Sequence, residues 1–431
     1  MKAKNPFYFL ILSLTLFCGC AQKNQKNDTP TLVSIQVIDR NGFTETISAK
    51  NRLTKYQNTN FCDPQPYQKV LRVFSKNKEG RSSSAITSYH PNGLIWQYLE
   101  VVDGRAHGTY KEWHPNSKPK MELTVIEGIA ELSETAPTSW VFDGENTIWD
   151  EQGSIVAKIL YEKGMLHGDS LYYYPKGSLK KQISYVQDKI QGSIFFYSEE
   201  GVVLETISYV DDKPHGHAKS CTLEGNLLYE EDWEDGNLLE GVYYDVNGTI
   251  LSTISKGSGN RAEFKEGALK QLVEYKDGKA EGLVQCFDST GFITNTYHQK
   301  QGKKQGEEKI YYPLAFLEKT AQVKILLNWQ EDILQGTVKT WFADGVQESQ
   351  KELYQNKKNG LSLAWYKNGG LMLSEEYEND LLVSGTYYKK GDTKPVSRVS
   401  DKKGTVSLYD PDGYFLKKIP YEKGIPLLEK E

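Results

Sequence analysis

Very little in this sequence is equipped for chemistry. Only five cysteines and seven histidines occur in 431 residues. Two of the cysteines, Cys18 and Cys20, lie in the first twenty residues, and the later ones (Cys62, Cys221 and Cys286) are too far apart for a disulfide framework or a metal-ligand pattern. There is no Gly-x-Ser-x-Gly, no P-loop, no His-Glu-x-x-His, and Gly257-Ser258-Gly259 is not followed by the strand–helix unit of a dinucleotide fold. No dense run of basic residues occurs and the formal net charge is −5, which argues against nucleic acid as a partner. After the N-terminus no stretch approaches eighteen consecutive apolar residues, so no later segment reads as a membrane-spanning helix. Helix-period patterns are scarce; Leu314–Leu327 fits a turn or two of helix or a strand equally well. The expectation is a protein with no catalytic site, no metal and no cofactor.

What the chain has in abundance is glycine and aromatic residues, 37 Gly, 28 Tyr, 15 Phe and 8 Trp, and they recur with a period of about 24 residues. One glycine series runs Gly168, Gly192, Gly216, Gly241, Gly282, Gly306, Gly336, Gly360 and Gly385. A second, offset by about nine residues, runs Gly153, Gly177, Gly201, Gly225, Gly248, Gly267, Gly291, Gly345, Gly369, Gly391 and Gly413. Such a period signals a repeat architecture whose units bury their apolar side against neighbours. Two glycine-centred turns per 24 residues leave two strands of six to eight residues, so each unit reads as a β-hairpin, with glycine supplying positive φ at both turns.

Two aromatic rows accompany the glycines. One stands eight residues after the turn glycine: Tyr161, Tyr185, Tyr209, Trp233, Tyr275, Tyr377 and Tyr421. The other stands five after the anchor glycine: Trp113, Tyr173, Tyr197, Phe264, Phe287, Tyr311, Trp341 and Trp365. Both are expected to stack from unit to unit and supply the apolar area that short polar hairpins lack. The slot before the anchor glycine holds His107, His167, Gln191, His215, Glu281, Gln305, Gln335 or Asn359. With flat hairpins about 9.5 Å apart, His167 and His215 would lie roughly 19 Å from each other, too far to share a metal. The slot therefore reads as a polar turn position.

The expected fold is all-β: an elongated array of about fourteen hairpins over residues 85–425, preceded by a small β cap at 31–84. In the cap, Leu32–Ile38 alternates, Asn41-Gly42 marks a hairpin, and Val70–Phe74 reads as a further strand. The rhythm fails around Ala130–Ser139, between Gly241 and Gly259, and around Pro313–Gln322, where unique features are expected.

The N-terminus carries its own signals. Lys2 and Lys4 precede an apolar run from Phe7 to Phe17, too short to span a bilayer, and the chain turns polar after Cys20. Residues 1–19 resemble a bacterial lipoprotein signal, which implies cleavage before Cys20, lipidation there, and a polar tether over 20–30. Ala21 in place of an acidic residue favours the outer membrane. Losing Lys2 and Lys4 would take the net charge to −7.

The pattern Tyr-x-x-Gly-x-x-x-Gly-x-x-x-x-Tyr, with instances at 161–173, 275–287 and 89–113, resembles the MORN-repeat variant of bacterial proteins grouped as YwqK-type antitoxin components. The resemblance implies a ladder of hairpins with a role in protein or lipid contacts. Three functions stay open: a lipid-anchored scaffold that binds another protein, a lipoprotein binding glycan or peptidoglycan through exposed aromatics such as Trp329 and Trp341, and toxin neutralisation.

Overall fold

The computed structural model describes residues 31–313 and 321–427. The signal segment, the tether, Cys20 and most of the 313–322 insertion lie outside them. The described chain consists of antiparallel strands and the turns between them, with little helix, and divides into two compact units, one of residues 31–108 with 128–139, the other of 109–127 with 140–427.

In the first unit the strand order is Thr44–Ile47, Leu32–Ile38, Lys69–Phe74, Ser83–Tyr89, Ile95–Val102. The alternation of the first strand sends Ile35 and Val37 inward with Ile47, Val70, Ile86 and Leu99. At the Asn41-Gly42 turn the Asp39 carboxylate accepts the N–H groups of Asn41 (2.8 Å) and Phe43 (2.9 Å), fixing the hairpin locally. A short helix at Lys50–Leu53 followed by a 3-10 turn at Thr54–Tyr56 is not foreshadowed by the strand pattern; its one buried residue, Leu53, covers the sheet. The extra material at 128–139 packs here, with Ala136 buried and Lys69 3.4 Å from Glu131. This unit therefore runs past the cap boundary expected at residue 84.

The second unit is a succession of hairpins joined by two alternating kinds of turn. The wide kind follows Trp149, Tyr173, Tyr197, Cys221 and their equivalents: Gly153, Gly177, Gly201 and Gly225 close a bond back to the residue three before, as Gly177 N–H does to Tyr174 O at 2.8 Å. The tight kind has two central residues, both at positive φ: Lys163-Gly164, Gln187-Asp188, Asp211-Asp212, Asp277-Gly278, Gln355-Asn356, Asn379-Asp380. These are the mirror-image hairpin turns whose twist suits antiparallel strands, and Gly, Asp and Asn tolerate them best.

The anchor glycines (Gly168, Gly192, Gly216, Gly282, Gly306 and Gly360), expected at turns, sit four residues past the tight turn and inside the strands. Gly192 has φ +99°, and the pairing of Ile183 with Ile194 slips against that of Tyr185 with Ile190, so the glycine forms a β-bulge. Each bulge bends its strand sharply. In consequence successive tight turns meet: Asp188 N–H donates to Leu166 O (2.9 Å) while its carboxylate accepts Leu166 N–H (2.7 Å), and Asp212 repeats both contacts on Ile190 at 3.2 and 2.7 Å. Asp332, Asn356 and Asp380 do the same to Lys304, Leu334 and Lys358. Units on this edge are thus a hydrogen bond apart, so the flat 9.5 Å spacing used to separate His167 from His215 does not hold there. At the short unit three tight turns close on themselves: Gly257 N–H to Leu239 O (2.8 Å), Gly278 N–H to Gly257 O (2.9 Å), Leu238 N–H to Gly278 O (3.1 Å).

The bending gives the sheet an inner face. Residues two after the anchor glycine and two before the aromatic line it in one cross-strand row, Ser170–Ile183–Ile194–Ile207–Ala218–Glu231. Ser170, Ile183, Ile194, Ala218 and Glu231 are all buried. Each isoleucine there contributes about 2 kcal/mol of transfer free energy.

The tight-turn seam makes a graded prediction at Asp212. Asp212→Gly keeps the left-handed backbone and loses the carboxylate acceptor, whereas Asp212→Ala loses the acceptor and adds about 1 kcal/mol of backbone strain. Denaturant midpoints should fall in the order wild type, Gly, Ala; equal losses for the two variants would show that backbone strain does not count at this turn.

Candidate binding surface

The two aromatic rows go to different places. Tyr161, Tyr185, Tyr209, Trp233, Tyr275, Tyr377 and Tyr421 each lie directly across the ladder from a glycine: Gly144, Gly168, Gly192, Gly216, Gly259, Gly360 and Gly404. The missing side chain leaves room for the ring, so the pairing is ring over glycine, where ring on ring was expected. None of the ring–ring contacts among the described residues joins one member of this row to the next. Tyr173, Tyr197, Phe287, Tyr311, Trp341 and Trp365 end their strands at the wide turns, each half-buried and paired with the first residue of the next strand. Tyr197 reaches Gln182 Oε1 (3.5 Å) and packs on Phe195, and Tyr311 reaches Thr296 Oγ1 (3.4 Å). Gln182, Phe195 and Thr296 are one residue out of phase with the buried row, so these rings stand on the outer face. They form a regularly spaced half-exposed row, one per unit.

The residue after each of these aromatics opens the wide turn; apart from Ser198 and Phe342 it is aspartate or tyrosine. Asp150, Asp245, Asp288 and Asp410 cap their own turn through the carboxylate, as Ser154 N–H to Asp150 Oδ1 (2.8 Å) shows. Tyrosine instead reaches forward: Tyr174, Tyr312 and Tyr366 donate to the carbonyls of Tyr197 (2.9 Å), Trp341 (2.7 Å) and Tyr388 (2.6 Å). The acceptor is the strand end that carries the next outer aromatic, so these clamps fix its position.

The polar slot before the anchor glycine has a structural role. Gln191, Gln305 and Asn359 accept the N–H of the first residue of the next tight turn, at 3.2, 3.1 and 3.2 Å, and His215 Nδ1 accepts that of Asp235 at 3.3 Å. Among the described residues no group of three His, Cys, Asp or Glu side chains is arranged to hold a metal.

The sequence rhythm did not reveal the buried polar centre of the inner face. Glu231, 2% exposed, accepts from Arg261 Nε (2.7 Å), Tyr243 OH (2.8 Å) and Trp233 Nε1 (2.9 Å), and Arg261 Nη1 donates to Glu263 (2.9 Å). The guanidinium lies 5.6 Å from the centre of the Trp233 ring. Burial alone would depress the Arg261 pKa, but Glu231, Tyr275 and Glu263 together outweigh it and hold the guanidinium above its ordinary value. Burial first, and then Glu231, push the Tyr243 hydroxyl far up. Glu308 repeats the theme with Lys304 (2.7 Å) and Trp329 Nε1 (2.7 Å). The only sequence signal for these residues is their offset: Glu231 stands two before the row aromatic, Arg261 and Glu308 two after an anchor glycine.

With this geometry in view, comparison with known proteins is informative for the repeats. The MORN repeat variant model matches residues 106–126 and 166–187. The chain contains MORN repeats. The second match runs from the tight-turn edge through Gly168, the strand to Tyr173, the wide turn and the strand Leu179–Val186, which is one hairpin of the ladder. No functionally curated protein matches the chain. Among solved structures, a chain of the Photorhabdus luminescens Tc holotoxin pore, in a mutant form, matches at 12% identity with a TM-score of 0.15, over 89% of this chain and 23% of that one. This chain thus spans under a quarter of that protein's length, and the likeness is too slight to bear on fold or function.

Two outcomes are expected. Arg261→Ala strands Glu231 and should cost about 3–5 kcal/mol by denaturant unfolding, while the double variant Glu231→Leu/Arg261→Leu should cost less; a double variant as damaging as the single would show that packing, not charge, dominates. Secondly, burial raises the Tyr366 hydroxyl from 10.0 to about 12. Its contribution is complete below pH 10 and is lost as pH rises from 10 through about 12, because the unfolded chain ionises first. Tyr229, Tyr243, Tyr377 and Tyr387 are raised further by the same cause, so melting temperature should fall steeply over that window, together with the rise of tyrosinate absorbance.

Proposed function

We propose that this MORN-repeat protein is a non-enzymatic scaffold whose outer sheet face binds another protein, held at a bacterial envelope by a lipid on Cys20, with the outer membrane as its site. The observation that carries the reading is the outer aromatic row: Tyr173, Tyr197, Phe287, Tyr311, Trp341 and Trp365 recur once per unit, half-exposed, with Tyr174, Tyr312 and Tyr366 clamping the strand ends that carry the next aromatic. Preorganised rings at a fixed spacing offer contact area at low entropic cost. Of the two tryptophans named for the glycan reading, Trp329 is committed to Glu308 on the inner face, while Trp341 stands in the outer row.

The test is crosslinking and recovery of the anchored protein from its own envelope. One stoichiometric protein should be recovered, and alanine at Tyr197, Tyr311 and Trp341 together should weaken its capture about tenfold or more while the melting temperature is largely kept. Recovery of no protein, with co-sedimentation on purified cell wall, would replace this reading with glycan binding; a small toxin as the recovered protein would favour neutralisation. For the anchor, Cys20→Ala should abolish labelling by a palmitate analogue, and persistent labelling would refute lipidation at that residue.

A further inference from the structure

The closed ring of three tight turns at 238–278 occurs twice. Lys402 N–H donates to Val383 O (2.8 Å), Gly424 N–H to Lys402 O (2.8 Å), and Leu382 N–H to Gly424 O (3.1 Å), matching the first ring bond for bond. The ladder around it has the same register: Ala218–Glu231–Gly241–Ile254–Gly259–Tyr275 in the first copy and Ser362–Glu375–Gly385–Val399–Gly404–Tyr421 in the second. Corresponding residues lie 144 to 146 positions apart, and the stretches 237–244 (NLLEGVYY) and 381–388 (LLVSGTYY) show the duplication in sequence. In both, the buried tyrosine two after the glycine donates to the glutamate: Tyr243 to Glu231 and Tyr387 to Glu375, each at 2.8 Å. Gly241 and Gly385 serve space here, since a Cβ would lie 2.6 and 2.5 Å from those hydroxyls.

The copies differ at one decisive position. The residue two after Gly259 is Arg261, which neutralises Glu231; its counterpart, two after Gly404, is Val406. Four glutamates are buried among the described residues. Glu112, Glu231 and Glu308 each have a cation at 2.7 Å, from Lys120, Arg261 and Lys304. Glu375, 9% exposed, has the Tyr387 hydroxyl and the Tyr377 hydroxyl as donors and no cationic group within 4.0 Å. An uncompensated buried carboxylate is costly. Beside it lies a cavity of about 500 Å³ lined by Glu375, Tyr377, Val406, Leu373, Ile419 and Tyr421. Tyr377 occupies the place of Trp233, the ring on which Arg261 lies.

We propose that this cavity is a binding site for a guanidinium group, the side chain of an arginine supplied by a ligand in the position that Arg261 fills in the first copy. The carboxylate of Glu375 receives the planar fork and Tyr377 offers the ring face, two of the contacts that hold Arg261, while the place of Glu263 is taken by Leu408. The other charged groups lining the cavity are Glu348, Lys351 and Lys358. Lys358 leans over the Tyr377 ring, its Nζ 4.4 Å from the centroid, and the arriving guanidinium displaces it from there to solvent. Trp365 of the outer row also borders the cavity, but Glu375, Tyr377 and Val406, on which this site rests, are not among the residues substituted in the outer-face test, so the two readings fail separately.

The experiment is calorimetric titration of the full chain with N-acetyl-arginine-amide, with free arginine and N-acetyl-lysine-amide alongside. The arginine amide should bind saturably, free arginine more weakly if the source is a peptide, and the lysine amide about tenfold more weakly than the arginine amide. Glu375→Gln should weaken arginine-amide binding about tenfold or more. Val406→Arg supplies the missing side chain from within: it should abolish binding and raise the melting temperature, and the double variant Glu375→Gln/Val406→Arg should not show that rise. No saturable binding to the wild type, which is the result if Lys358 already neutralises Glu375, overturns the proposal. So does equal binding of the lysine amide, or undiminished binding by Val406→Arg.

Discussion

Everything in the repeat unit depends on the contact between successive tight turns. A two-stranded hairpin is marginal alone, and neighbours in a flat sheet would share only their edge strands. Here the second residue of each tight turn from Gly164 to Gly424, Gly302 excepted, donates its N–H to the unit before, and where that residue is aspartate or asparagine its side chain takes an N–H in return. At Gly168, Gly192, Gly216 and Gly360 the contact goes with a bulge at the anchor glycine, four residues past the tight turn, which bends the strand. Bulge, seam and inner face are therefore one arrangement. Remove the bend and the turns separate, the Ile183–Ile194–Ile207 row opens, and the buried charges lose their shelter.

The buried charges follow from that geometry. Once a sheet has a dry inner face, each inward position must be apolar or matched, and the chain uses both solutions. Ile194, Ala218 and Val284 are buried apolar residues at the position two after the anchor glycine, where Glu308 and Arg261 are charged and paired. The ion pairs do not make the fold, since a buried pair roughly breaks even against apolar packing. On the outer face, tyrosine clamps at the wide turns hold strand ends that carry the half-exposed rings.

The hairpin ladder was legible because a period of 24 survives any choice of side chain, and the all-β class follows from it. The wide-turn glycines such as Gly177 and Gly201 are where the rhythm places them. Placing the anchor glycines Gly168 and Gly192 at turns failed for a physical reason: a glycine at a bulge and a glycine at a turn share positive φ, and only the pairing register distinguishes them. The expectation that aromatics stack on each other overlooked that each ring already has an empty place opposite it, over a glycine. Glu231, Arg261 and Glu375 left almost no trace, because an inward charge is recognisable only once the inward face is known. The helix at Lys50–Leu53 is a single turn held by one buried leucine, too short to leave a period.

The two edges of the ladder differ in how much they tolerate. From Lys163-Gly164 to Lys423-Gly424 each tight turn has two central residues, and each is tied to a neighbour on that edge. The wide edge is permissive: the Glu266-Gly267 turn is shortened, and the chain departs after Tyr312 and returns at Gln322 with the turn bond between them kept at 2.9 Å. New sequence can therefore be added along one margin without disturbing the units beside it. Such a protein can diversify what it presents by lengthening loops on a single side, while the opposite side keeps count of the repeats.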